Sequence, residues 1–355
     1  LVFLHETKSN MAQEEKKFTD VNELGEFGLI DHLTRGIDRF QASTIKGIGD
    51  DAAVIRSGRN TIVATTDSLV EGIHFDLTYT PLKHLGYKAV MVNLSDIYAM
   101  NAYPTQIMVS LAISSKYTVE ALEVLYDGIK SACQRHGVDI VGGDMTSAPR
   151  GMMLNISALG QTREEQLTYR NTAQPGDLIC VSGDLGAAYL GLQLLEREKE
   201  VYLSDKKAQP QLDEYNYLVG RQLKPEARKD IIDMFDQAEF LPTSMIDISD
   251  GLASEIFHIC TQSGTGAVIE EAKVPIHSQA EKLAFDFKLD PITCALSGGE
   301  DYELLFTAAE KDLEKVRYLT DVAIIGKILP ADQGVRLLSS GGRYHTIKAQ
   351  GWKHF

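Results

Sequence analysis

The chain has 355 residues, two domains at about 150 residues each, and its 44% hydrophobic and 24% charged residues are those of a folded globular protein. Its 35 Lys and Arg against 50 Asp and Glu leave a net charge of −15, which repels phosphate backbones and anionic lipid and disfavours nucleic-acid or membrane partners. No apolar run approaches the ~18 residues of a membrane span, and residues 1–4 give way at once to His5, Glu6 and Lys8, unlike a signal peptide.

In chain order, residues 1–20 are polar, lack periodicity and read as a disordered leader. Phe27, Ile30, Leu33 and Ile37 fall at helical spacing, and the β-branched run 61–66 predicts a strand ending at Asp67. Pro81 opens a helix whose face carries Leu85, Ala89, Val92 and Asp96. Residues 106–114 alternate like a strand. A helix follows with Leu122, Leu125, Tyr126, Ile129 and Cys133 on one face and Gly137 as its stop. Residues 138–141 predict a buried strand running into Gly142-Gly143-Asp144, and 153–159 another.

The polar stretch 161–174, closed by Pro175-Gly176-Asp177, marks a boundary, so 21–165 and 166–355 are expected as two domains. The second half again mixes strands and helices, with a strand at 178–182, a helix at 185–195, two helices across 212–237, a strand into Asp247 and a helix over 251–261. Strands follow near 266–270, 292–297, 302–307 and 322–329, and the charged piece 196–211 reads as a surface insertion. Mixed elements in both halves predict an α/β, or layered α+β, fold in two linked domains. The four cysteines, 133, 180, 260 and 294, form no CxxC pair and sit among apolar neighbours, which predicts buried thiols in a reducing cytoplasm and neither zinc nor disulfides.

The unusual feature is where the acids fall. Asp50-Asp51 follow Gly47-Ile48-Gly49, Asp67 follows Thr65-Thr66, and Asp144 follows two glycines. Asp247 and Asp250 bracket Ser249, Glu300-Asp301 follow Ser297-Gly298-Gly299, and Asp96 shares a face with apolar helix positions. Singly, each is an ordinary turn or capping residue. Together, each bordering an apolar run, they predict a convergent carboxylate cluster that needs hard divalent cations to stay ionised. A GxxxxGK[ST] loop and the HRD and DFG motifs are absent, so an ATP user built this way neutralises phosphate chiefly through metal.

The runs GIGDDAAV (47–54), TTDSLVEGIHF (65–75), NLSDIYAM (93–100), GGD (142–144), IDISDGL (246–252), SGGEDYELLF (297–306) and GWKHF (351–355) resemble, in order, those of the thiamine-monophosphate kinase family. That family shares a superfamily with aminoimidazole ribonucleotide synthetase and selenophosphate synthetase. The resemblance implies ATP-dependent phosphorylation of thiamine monophosphate to thiamine diphosphate, with several Mg²⁺ ions per site. It also implies a cytoplasmic homodimer paired through the N-terminal α/β domains, with ATP near that interface and the C-terminal α/β domain completing the substrate site.

Position by position, Asp51, Thr65, Thr66, Asp67, Asp96, Asp144, Asp247 and Asp250 match metal ligands, with Asp67, Asp144 and Asp247 at the chemistry. Tyr126, Gly143, Asp144, Arg170 and Ser249 match nucleotide contacts, and His74, Glu300 and Trp352 match the thiamine-phosphate pocket. Taken alone, His74 reads first as a core histidine and Arg170 as a solvated linker residue, while Tyr126 could be core alone and Trp352 a packing anchor. Rival readings are a purine-pathway synthetase acting on an amidine and a non-catalytic nucleotide or metal sensor. The absence of cysteine before 133 and the terminal Phe355 argue against the selenide-using and hydrogenase-maturation relatives.

Overall fold

β-branched and apolar runs punctuated by glycine fold into two successive sheets, in a computed structural model that describes residues 40–347 except 208, together with 28, 30, 32, 34 and 35. Residues 39–352 form one unit; of the other, 1–38 with 353–355, Gly28, Ile30, His32 and Thr34 are helical. The expected leader and Trp352 lie outside the described residues.

The first sheet holds β1 (Thr44–Lys46), β2 (Ala53–Ser57), β3 (Asn60–Val70), β4 (Tyr103–Ile113), β5 (Asp139–Ser147) and β6 (Met152–Thr162), in the order β1-β2-β3-β6-β4-β5. Its pairs are antiparallel except β4 with β5, which is parallel because a helix crosses between them. Two helices, α1 (Leu82–Ala99) and α2 (Val119–His136), accompany this sheet. Thr118 caps α2 by accepting from Ala121 N at 3.2 Å, and left-handed Gly137 ends it. The helices touch backbone to backbone: a Cβ on Gly86 would lie 2.1 Å from Leu125 O, and one on Gly128 1.9 Å from Lys83 O.

The second sheet holds β7 (Leu178–Ser182), β8 (Ser244–Asp247), β9 (Thr265–Glu270), β10 (Leu304–Ala308), β11 (Val322–Pro330), β12 (Val335–Leu338) and β13 (Tyr344–Thr346), in the order β13-β12-β9-β11-β7-β10-β8. Around it lie α3 (Ala187–Ser204), α4 (Asn216–Leu223), α5 (Lys229–Gln237), α6 (Leu252–Ser263), α7 (Ser278–Asp286), α8 (Pro291–Ser297) and α9 (Leu313–Tyr318). One core cluster joins Leu85, Met91, Ile97 and Ile156 to Phe235, Phe240 and Phe306 of the second half, so the two layers share apolar surface. The rings of Phe235 and Phe306 meet edge to face at 5.1 Å. A second cluster lies beneath α6, built from Ile246, Ile256, Ile259 and Ile269. No helix among the described residues is long and apolar enough to cross a membrane.

The structure corrects four sequence expectations. Residues 292–297 are helical, not a strand: Asp290 caps by accepting from Thr293 N at 3.3 Å, and Pro291 occupies the first turn, a start signal that outweighs Ile292 and Thr293. Residues 196–204, read as part of an insertion, continue α3, where Glu198 is buried and bonded to Arg197 and Gln211 N. Asp67 lies inside β3, not at its end, because β6 pairs with β3 through Val70. The 138–141 strand extends to Ser147 as β5 and is an edge, exposed along its whole length, so Asp144 sits mid-strand.

Candidate active site

The site is organised by α1. Buried on nearly all sides, it presents Lys88, Asn93, Ser95 and Asp96 from within an apolar helix. Asn93 Oδ1 accepts from Asp67 N at 3.1 Å, fixing β3 against the helix. Thr65 Oγ1 donates to Asp96 Oδ2 at 2.6 Å, and Ser95 Oγ donates to Asp247 Oδ2 at 2.6 Å. Strand alternation puts Thr65 and Asp67 on one face of β3 and Thr66 on the other, where its hydroxyl bonds Ile156 O at 3.1 Å and Ser157 Oγ at 3.0 Å. Thr66 therefore keeps its hydroxyl out of the cluster that Thr65 joins.

Carboxylate oxygens of Asp51, Asp96 and Asp247 lie within 4.8 Å of one another, although they come from a glycine turn, a helix and a strand end. Asp67 is close enough to Asp96 for the two carboxyls to repel. Burial pushes the Asp96 carboxyl well above its ordinary range, and repulsion from Asp67, Asp247 and Asp51 adds to it. Burial likewise raises Asp67, raises Asp51 to about 8 against the pull of Arg170, and raises Asp247 to about 6 against the Ser95 hydrogen bond. Asp250 adds repulsion on Asp247 from the next turn. Arg170 Nη2 lies 2.5 Å from Asp51 Oδ1 and its Nε 3.4 Å from Asp50 Oδ1, while Asp51 Oδ2 is buried with no hydrogen-bond partner. Closely spaced oxygen donors, one of them orphaned, with one arginine for several acids, fit a hard divalent cation.

The SGGEDYE run packs its backbone on the IDISDG run. A Cβ on Gly299 would lie 2.6 Å from Ser249 O, and Glu300 N donates to that same oxygen at 2.6 Å. Glu300 and Tyr302 take left-handed backbone angles, φ 58° and 52°, on either side of Asp301. The three acids then separate in role. Asp301 accepts from Gly186 N at 2.7 Å and Ala188 N at 3.3 Å, holding the start of α3. Glu303, buried, accepts from Ser182 Oγ at 2.5 Å, Arg221 Nη1 at 2.6 Å and Arg228 Nη1. Glu300 directs its carboxylate to Lys88 and Gln222, and the buried Tyr302 phenol is raised far above its usual range, by burial first and by the charge of Glu300, Asp67, Asp247 and Asp96 second.

The structure therefore gathers Asp51, Thr65, Asp67, Asp96, Asp247, Asp250 and Arg170, while Glu300 is held by Lys88, eight residues before Asp96 on α1. Asp144 does not converge with them within the chain: it lies on exposed β5, paired opposite Ser110. Its neighbour Gly143 lets β5 close on β4, since a Cβ there would lie 1.9 Å from Val109 O. Tyr126 is half-buried against the first core cluster. Ser249 is exposed, and half-buried His74 spends Nδ1 in accepting from Val70 N at 3.0 Å. Sequence reasoning missed Lys88, Asn93 and Ser95; the available signal was a set of polar residues inside an otherwise apolar helix.

Among known proteins, residues 49–162 match the family described as AIR synthase related protein, N-terminal domain, and residues 174–338 match its C-terminal domain. Thiamine-monophosphate kinase of Aquifex aeolicus (strain VF5) is 33% identical over 335 residues, covering 94% of this chain and 99% of that protein. The Escherichia coli (strain K12) protein of the same name is 34% identical over 348 residues, covering 93% and 98%. A solved structure described as AaThiL complexed with AMPPCP and TMP matches with a TM-score of 0.81 and 31% identity, covering 95% of this chain and 99% of that one. Hydrogenase maturation protein HypE in complex with ATP, 20% identical with a TM-score of 0.67, shares the fold.

Proposed function

The chain belongs to the thiamine-monophosphate kinase family, and we propose that its acid cluster is where the γ-phosphoryl group of ATP passes to the phosphate of thiamine monophosphate, giving thiamine diphosphate. The observation that carries this reading is the convergence of Asp51, Asp96 and Asp247 from three distant segments. Asp51, Asp67, Asp96 and Asp247 would hold Mg²⁺, which when bound supplies the positive charge that two facing phosphates need.

The protein's own residues do the positioning. Ser95 and Thr65 orient Asp247 and Asp96 by donating to one oxygen of each, leaving the other for a cation. Asn93 ties the Asp67 backbone to α1. Arg170 holds Asp51 in place and carries positive charge at the nucleotide end, where Tyr126, Gly143, Asp144 and Ser249 are the further proposed contacts. Glu300, His74 and Trp352 are the proposed contacts of the thiamine end.

The acceptor is already an anionic oxygen, so no strong base is needed and a single in-line displacement suffices. His74 Nδ1 is engaged in accepting from Val70 N, a contact that a phosphohistidine relay through that nitrogen would have to break. We further propose a homodimer formed along β5, an edge strand on which Ile140, Val141 and Met145 are exposed. A water-exposed apolar edge strand is a surface for a second copy. A mass near that of one chain by light scattering at micromolar concentration would refute the dimer. The four buried, unpaired thiols agree with a cytoplasmic site.

The decisive assay measures ADP release with thiamine monophosphate against release with formylglycinamidine ribonucleotide, each with and without Mg²⁺. Release driven by the second substrate alone overturns the reading. With a chiral γ-thiophosphate donor, inversion supports the single displacement and retention overturns it.

A further inference from the structure

Lys88 is buried in the middle of α1, a position where methionine or leucine would pack without desolvating a charge. Its Nζ lies 2.9 Å from Glu300 Oε1 and donates to Gln222 O at 3.1 Å. Gln222 in turn donates through Nε2 to Glu300 Oε2 at 2.7 Å. Each oxygen of Glu300 thus has one fixed partner, and about two of the carboxylate's four lone-pair sites remain for a donor from the cleft. The side chain of Lys88 is only 4% exposed against 28% for Glu300, so the lysine cannot meet a substrate except through the glutamate.

Helical spacing adds the second half of the argument. Ser95 and Asp96 stand seven and eight residues beyond Lys88, two turns along the same side of one rigid helix, about 11 Å at 1.5 Å per residue. One element therefore grips Glu300 at one end and Asp96 and Asp247 at the other. Glu300 itself sits on a left-handed backbone that does not fix its side chain.

We propose that Lys88 is a positioning residue for substrate recognition: through its ion pair it holds the Glu300 carboxylate in one orientation, at a distance from the metal-holding acids set by α1. This rests on the reading of Glu300 as a contact of the thiamine end. An ion pair of this kind is worth little as stability, because an apolar pair would pack as well, but it fixes one geometry.

The test is a double-substitution cycle read in KM for thiamine monophosphate, with KM for ATP as the control. Lys88→Met and Glu300→Gln are each expected to raise KM for thiamine monophosphate at least tenfold, with KM for ATP within threefold. Lys88→Met in the Glu300→Gln background is expected to add less than twofold, since its route is already cut. Effects that multiply overturn the proposal, because a general packing defect acts whatever residue 300 is. An unchanged KM in Glu300→Gln overturns the reading of Glu300 and the proposal with it. An active Glu300 with an unaffected Lys88→Met overturns the proposal alone. If Lys88→Met does not fold with Glu300 unpaired, the charge-free Lys88→Met/Glu300→Gln protein against Glu300→Gln decides: equal KM supports, a further tenfold rise overturns.

Discussion

Replacing Asp96 by asparagine should stabilise the metal-free protein while abolishing its chemistry. Two unit charges separated by the 4.8 Å that bounds the Asp51, Asp96 and Asp247 oxygens repel by about 3.5 kcal/mol at an effective dielectric of about 20. With Asp51 raised to about 8 and Asp247 to about 6, part of that charge is absent near neutrality, which reduces the repulsion present to about 1–3 kcal/mol. Asparagine keeps an oxygen to accept from Thr65 Oγ1, so the 2.6 Å hydrogen bond survives the change. In EDTA at pH 8, melting should rise by roughly 2–6 °C. Added Mg²⁺ should stabilise the parent protein and not the variant. ADP release with Mg²⁺ should fall at least ~100-fold, because a group that meets charge in the transition state is lost. A variant that melts lower in EDTA, or turns over within threefold of the parent, would refute the argument that these acids are held together against repulsion for the sake of a cation.

Three further outcomes follow from the geometry. Gly128→Ala places a methyl 1.9 Å from a backbone oxygen of α1, so it should cost about 3 kcal/mol and lower turnover by shifting Asp96; a melting point unchanged by calorimetry would contradict the backbone contact. His136 accepts or donates at Nδ1 with Tyr98 OH at 2.8 Å, and burial lowers its pKa to about 4. A base depressed in this way contributes stability above its unfolded value near 6.5 and loses it as pH falls towards 4, so His136→Gln should flatten acid destabilisation in that window by roughly 2 kcal/mol; parallel denaturation curves would count against it. Burial raises all four cysteine thiols above their normal range, so the native protein should react with a disulfide reagent at pH 8 far more slowly than the unfolded chain, which should yield four equivalents; fast native reaction at any of them would show an opening that the packing does not contain.

Local signals made much of this legible. Asp51, Asp67 and Asp247 advertised themselves because carboxylates beside small residues at the rims of apolar runs have few other reasons to be there, and the helix stop at Gly137 needs only a left-handed residue. What failed was context. Ile292 and Thr293 look like a strand until Asp290 and Pro291 are read as a helix start. The 138–141 run reads as buried because it is apolar, yet sheet order makes it an edge, and order depends on pairings distant in sequence. Lys88 was invisible for a related reason: a lysine in a helix ordinarily faces water, and nothing nearby in the sequence announces a partner at Glu300, 212 positions away. Asp144 was legible as an acid after glycines but not as one held apart from the others within its own chain.

The left-handed backbone at Glu300 sets the ease of folding against the work of the site. A non-glycine residue there costs about 1–2 kcal/mol that glycine would not. Glycine at that position would therefore leave a more comfortable turn between Gly299 and Asp301, still able to donate its N–H to Ser249 O and still flanked by the acid that holds α3. It would also leave Lys88 facing an empty place and the cleft without its carboxylate. A buried Lys88 without its partner costs more than the strain relieved, so a chain selected only for thermal robustness would reach that glycine together with an apolar residue at 88, losing the pair at once with its fold intact.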